Sequence, residues 1–146
     1  MADTEKLNLS DFLPYRFSVF EQRLSKAIAL KYMDAFGLSR IEWRVLATLA
    51  EFENISAKEI CQFTHLEKMQ VSRAISRFKQ AAIVLQKKND RDQRLTELSL
   101  TKKGWKIYRQ VMPLVKDEEK RLLTALSPTE QKQLQKILSK LEQAVS

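Results

Sequence analysis

Apolar positions recur at helical spacing along almost the whole chain, and the one clear exception is a short window after residue 82. From Phe12 to Phe36, positions such as Phe20, Leu24, Ala27, Ile28 and Ala35 form a broad apolar face. The spacing predicts a helix with Pro14 near its first turn and Gly37 as its stop, after a loose lead-in over Met1–Asp11. Ser39 with Glu42 three residues on is the signature of a capping box. It opens a helix whose stripe is Ile41, Val45, Leu46 and Leu49, with Trp43 beside it as a packed tryptophan or a cavity wall. Phe52–Ile55 reads as a connection. Ser56 with Glu59 repeats the signature and opens a short helix, Ala57–Phe63, with Ile60, Cys61 and Phe63 inward.

The organising stretch follows a turn at Thr64–Leu66. In Leu66–Gln80, Val71, Ala74, Ile75 and Phe78 share one stripe, while Met69, Gln70, Ser72, Arg73, Ser76 and Arg77 fall outside it. That outer face carries amide, hydroxyl and guanidinium groups and no carboxylate, a set that suits phosphates and base edges. Two helices joined by such a turn predict a helix-turn-helix. Val84–Lys88 and Leu95–Leu100 then read as strands flanking the polar loop Asn89–Arg94, which makes the loop a wing.

Thr101 is placed to cap a long segment, Lys102–Leu126, with Trp105, Tyr108, Val111, Met112, Val115, Leu122 and Leu123 inward and a kink expected at Pro113. Ser127-Pro128-Thr129-Glu130 is a strong helix start, and Leu134, Ile137, Leu138, Leu141 and Val145 follow at helical spacing. The expected fold is therefore mainly α with a small β-wing: a winged helix-turn-helix over residues 38–101, flanked by dimerisation helices over 1–37 and 102–146. Because the central unit has its own core, the amphipathic ends are assigned to a homodimer contact through Phe12, Phe20, Leu24, Leu134, Ile137, Leu138 and Leu141. The N-terminal face alone fits core or subunit contact equally.

Composition sharpens this picture. Two glycines and three prolines in 146 residues leave few tight turns, and 44% apolar content supports a real core. The net charge is +8, and His65–Lys106 holds eleven basic residues against four acidic ones. A field concentrated in one segment implies a polyanionic partner. No apolar run spans a bilayer and no signal peptide is evident, so the cytosol is the expected compartment and no membrane partner is expected. One cysteine excludes an internal disulfide.

The remaining chemistry argues against an enzyme. His65, the only histidine, sits in the basic turn, so no nucleophile–base–orienter set can be assembled, and no glycine-rich phosphate loop occurs. One histidine and one cysteine offer no metal-ligand spacing, and no cofactor is expected. Asp117-Glu118-Glu119 reads as a solvated face. Cys61 reads as a buried structural thiol, with a thiol switch as the alternative. A winged-helix module that docks an acidic protein is the rival from another class.

The stretches LSRIEWRVLATLAE, ISAKEICQFTHLEKMQVSRAISRFKQAAIV, NDRDQRLTELSLTKKG and LSPTEQKQLQKILSKL occur in that order. The sequence resembles the MarR family of winged-helix transcription regulators over roughly Leu38–Leu141, most closely over Ser56–Gly104. Asp92 and Arg94 match the family's Asp-x-Arg wing element, and Leu100-Thr101-Lys102-Lys103-Gly104 matches its Leu-Thr-x-x-Gly. The resemblance implies a homodimeric regulator of transcription, most often a repressor relieved by a small-molecule effector, on a pseudo-palindromic double-stranded DNA operator. It implies DNA contacts from Lys68, Met69, Gln70, Ser72, Arg73 and Arg77 on the recognition helix and from Lys87, Lys88, Arg91, Asp92 and Arg94 in the wing. Arg94 would enter the minor groove, held by Asp92. Arg73 suits a guanine and Gln70 an adenine, with Lys68, Arg77, Lys87 and Lys88 on phosphates. Tyr15, Arg16, Phe17, Trp43 and Arg44 are candidates for an effector cleft, without assigned ligand contacts. Ala82 stands where the family often has glycine, so either the helix runs longer or the backbone turns there without a positive φ.

Overall fold

The computed structural model describes residues 4–146. A single 3-10 turn at Leu9–Asp11 interrupts the N-terminal lead-in, whose first three residues lie outside the described part. The elements then run α1 (Leu13–Ala29), α2 (Met33–Phe36), α3 (Arg40–Phe52), α4 (Ala57–Thr64), α5 (Lys68–Gln80), β1 (Val84–Lys88), β2 (Thr96–Leu100), α6 (Lys102–Leu123) and α7 (Pro128–Val145).

The helix expected over Phe12–Phe36 is two helices. The chain tightens at its break, where Lys31 and Tyr32 donate to the carbonyls of Ile28 and Ala29 at 3.0 Å. This turn carries the Tyr32 ring into the core beside Trp43, at a centroid distance of 5.7 Å. An apolar periodicity does not reveal such a break, because Tyr32 stays on the apolar face. Gly37 ends α2 at φ +63, a conformation that costs an L side chain about 1–2 kcal/mol.

α3 and α4 start on the expected capping boxes, in which Glu42 and Glu59 donate backbone N–H groups to Ser39 and Ser56 and return their carboxylates. Val45, Leu46, Leu49, Ile60, Val71 and Phe78 are fully buried where α3, α4 and α5 meet. Leu98 and Leu100 of the wing close that core, and Val111 joins α6 to it. Trp43 stacks on Tyr108 of α6 with centroids 5.9 Å apart, so it is a packed tryptophan first.

Three inward or outward assignments change. Phe63 is half-exposed, meeting Phe52 edge-to-face at 4.8 Å at the surface end of α3 and α4. Ile55, expected in a connection, exchanges backbone bonds with Leu98 at 2.8 and 3.1 Å and adds a one-residue third rung to the wing sheet. A single rung leaves no alternation to detect in sequence. Glu118, expected on a solvated face, is buried and paired with Arg121 and with Lys31 at 3.6 Å. It continues the inward stripe of Val111 and Val115 one turn further on, so its helical position overrides its charge.

α6 ends at Leu123, three residues short of expectation, and continues through Pro113 as one helix. α7 starts on the expected Ser127/Glu130 box but buries none of its residues. Its Ile137 and Leu141 are exposed, as are Phe12 and Phe20 of the N-terminal arm, whereas Leu24, Leu134 and Leu138 are half-buried. Among the described residues no helix is long and apolar enough to cross a membrane.

Candidate nucleic-acid interface

α5 is presented by two turns that lack glycine. His65 supplies the left-handed turn residue after α4, at φ +58, and donates its backbone N–H to the Cys61 carbonyl. At the other end neither outcome expected at Ala82 occurs. The helix stops at Gln80, and Ala82 itself turns at φ +57. Its N–H reaches the Lys79 carbonyl at 3.1 Å and the Ile83 N–H reaches Phe78 at 2.8 Å, the two bonds of a Schellman stop. Lys103 and Thr101 donate to the Ala81 and Ala82 carbonyls, both at 2.6 Å, so the start of α6 fastens this corner. Gly104 is required here: a Cβ would lie 2.3 Å from the Ile83 carbonyl oxygen.

The four stripe residues of α5 are buried, which turns the opposite face outward. Lys68, Met69, Ser72, Arg73 and Ser76 are exposed on it. Gln70 is half-buried, and its Oε1 accepts the Glu67 N–H at 3.0 Å in a capping box at the head of α5. Arg77 is held by Glu42 and by the Gly37 carbonyl. The face therefore offers Met69 and Arg73 more freely than Gln70 or Arg77.

The wing is a two-stranded antiparallel sheet with Val84 opposite Leu100 and Lys88 opposite Thr96. Asn89 folds the loop by accepting the Arg91 and Asp92 N–H groups at 2.8 and 3.1 Å. Asp92 receives Arg94 through Nε at 3.1 Å and Nη2 at 3.3 Å, and also through the Arg94 backbone N–H at 3.1 Å. These bonds hold the Asp92 carboxyl below its ordinary range, with the Arg94 side chain the larger cause. Arg91 is exposed at the tip.

Between α4, α5 and the wing runs a groove of about 660 Å³, whose rim includes Lys58, Lys68, Ser72, Lys79, Gln86 and Thr96. Lys58, Lys79, Gln86 and Thr96 were not among the candidates read from sequence. Strand register sets Gln86 opposite Leu98, and the packing of α4 and α5 brings Lys58 and Lys79 to the same groove; no local pattern encodes either. Cys61 lies on the same groove and is half-buried, more open than a structural thiol was expected to be. His65 is exposed in its turn.

A second cavity, of about 260 Å³, lies between the N-terminal arm and α3, lined by Leu24, Tyr32, Arg40, Trp43, Arg44 and Val115 among others. Of the five effector-cleft candidates it contains Trp43 and Arg44 only. Tyr15, Arg16 and Phe17 line a separate depression on α1. The Arg40 Nε is buried without a hydrogen-bond partner among the described residues. Burial pushes the Tyr32 phenol up, against the opposing pull of Arg40 and Arg44. Among the described residues no cluster of His, Cys, Asp or Glu is fit to hold a metal ion.

A buried three-helix head with one exposed basic helix and an arginine-tipped hairpin defines a winged helix-turn-helix protein. Residues 36–95 match the model of the MarR family. Over that stretch, which is less than half of its length, the chain is similar to the MarR family. It is 29% identical over 113 residues to the transcriptional repressor MprA of Escherichia coli K12; the match covers 76% of this chain and 64%, just under two thirds, of that relative. Its fold is shared by a mutant MarR of E. coli, solved in complex with operator DNA, at 20% identity and a TM-score of 0.80 over 94% of this chain and 99% of that one. It is shared too by BpsR of Bordetella bronchiseptica, whose DNA binding is regulated by 6-hydroxynicotinic acid, at 18% identity and a TM-score of 0.81 over 94% and 98%.

Proposed function

We propose that this chain is a cytoplasmic, homodimeric regulator that binds a pseudo-palindromic duplex and represses transcription until a small-molecule effector releases it. The observation that carries the reading is the pairing of an exposed, carboxylate-free face on α5 with a wing whose Arg94 is preset by Asp92. The face fits a major groove, and the hairpin fits the minor groove beside it. Lys68, Lys88 and Arg91 serve as phosphate contacts and supply most of the affinity. Met69 and Arg73 read bases, Met69 against a thymine methyl and Arg73 against guanine.

The dimer is built from residues 1–37 and 102–146, through Phe12, Phe20, Leu24, Leu134, Ile137, Leu138 and Leu141. The apolar stripe of α7, unburied within one chain, supports that assignment. MprA is a repressor, and operator DNA and 6-hydroxynicotinic acid act on similar folds, which supports the direction of control and an effector step. The cavity beside Trp43, Arg40 and Arg44 is the place for the effector, because it separates the arm from the head and a ligand there shifts one against the other. Selection of bound fragments from a random duplex library tests the reading: it expects an inverted repeat with half-site centres about one helical turn apart. Recovery of no shared sequence would count against it.

A further inference from the structure

We infer, given the duplex-binding reading above, that Arg77 is a positioning residue that fixes the recognition helix to the junction between arm and head, and is not a phosphate ligand. Arg77 lies one turn before the end of α5. Its Nη2 donates to the Gly37 carbonyl at 2.8 Å, and its Nη1 pairs with Glu42. Glu42 divides its carboxylate between two tasks: one oxygen accepts the Ser39 N–H at 2.9 Å in the cap of α3, and the other meets Arg77. The Glu42 side chain is only 13% exposed.

Both anchors are helix termini. One is the first turn of α3, and the other is the carbonyl of the left-handed residue that closes α2. Gly37–Ser39 is also where the N-terminal arm joins the winged head, so the clamp sets how α5 sits relative to that arm. Swinging Arg77 out to a phosphate would break both bonds and strand a mostly buried carboxylate without its cation. Arg73, one turn earlier on α5, is exposed and bears the direct contact instead. Burial alone would push the Glu42 carboxyl up, but bonds from Arg77 and Ser39 outweigh it and bring it below the ordinary range, so the clamp stays charged at neutral pH.

The test measures duplex affinity of the full chain across a salt series, on a selected and on an unrelated duplex, for the wild type, Arg77→Ala, Arg77→Lys, Glu42→Gln and the double variant Arg77→Ala/Glu42→Gln. Positioning predicts that each single change weakens the selected duplex about tenfold, and that the double variant does no worse than either. It also predicts a fall in the ratio of selected to unrelated binding with no change in the log–log salt slope. Arg77→Lys keeps the charge but loses the two-point reach, so it is expected to behave like Arg77→Ala; it carries the test if Arg77→Ala fails to fold. A salt slope flatter by about 0.9 per protomer in Arg77→Ala, with Glu42→Gln neutral, would overturn the inference. So would an unchanged selectivity ratio at temperatures well below each variant's melting. A wild type that shows no salt-dependent duplex binding would instead remove the reading on which the inference rests.

Discussion

Arg94 is the most exposed member of the wing's ion pair, its side chain 91% open to solvent, yet Asp92 grips it at two guanidinium nitrogens while being itself only 37% open. The aspartate thus aims an arginine that no other described residue at the loop tip holds.

That relationship separates aiming from stability. An exposed ion pair adds little to folding, because water screens it, so Asp92→Asn leaves the melting midpoint nearly unchanged. Duplex binding is expected to weaken about tenfold in Asp92→Asn, close to the loss in Arg94→Ala, and the two losses do not add. Fluorescence anisotropy on a duplex with an A·T-rich flank reads both. Full additivity would show that Asp92 acts on something other than Arg94.

Lys87 and Lys88 adjoin in sequence and face opposite sides of the wing. Lys88 shares the face of Val84 and Gln86 and pairs with Thr96, on the groove side. Lys87 pairs with Glu97 on the outer face. Lys88→Ala is therefore expected to lower the salt slope by about 0.9 per protomer, and Lys87→Ala to leave it nearly unchanged. Equal slopes in the two variants would reject this division of faces.

Ala82 holds a left-handed turn that favours glycine. Ala82→Gly relieves backbone strain of about 1–2 kcal/mol and gives back part of it as chain entropy, for a net gain of about 0.5–1 kcal/mol. A urea melt measures it. A lower midpoint in Ala82→Gly would contradict the turn described.

Acid should loosen the arm from the head. Glu42 and Glu118 both titrate below their ordinary range in the fold, Glu42 through Arg77 and Ser39 against burial, Glu118 through Arg121 first and Lys31 as well. A carboxyl lowered in the native state binds protons first in the unfolded chain, so its contribution is full above the unfolded value of about 4.5 and is lost as pH falls through the lower native value. Stability is expected to stay level from neutral pH to about 5 on this account and then to drop. Glu42→Gln should flatten the acid limb. An acid limb equally steep in Glu42→Gln would assign the drop elsewhere.

Much of the head was legible in sequence because its signals are local. Ser39, Ser56, Thr101 and Ser127 each cap the helix expected of them, and the stripe Val71, Ala74, Ile75 and Phe78 is buried as its spacing required. What sequence did not show depends on contacts between distant elements. The Arg77–Glu42 pair joins residues 35 apart, and it gives an expected phosphate contact an internal partner. Ile55 misled for the same reason, gaining a strand partner 43 residues away, whereas Glu118 misled by its charge although its helical position continues the inward stripe. Ala82 showed its departure in sequence, but not that the backbone would keep the glycine geometry regardless.

The central claim is that two copies of a basic reading head, joined through their chain ends, hold one duplex. Sedimentation of the purified chain with a selected duplex, over a salt series, tests it most directly. The expected result is a dimer in the free state, two chains per duplex, and a log K against log salt slope near −5 for about six neutralised phosphates. A monomer, or a duplex affinity indifferent to salt, would contradict it.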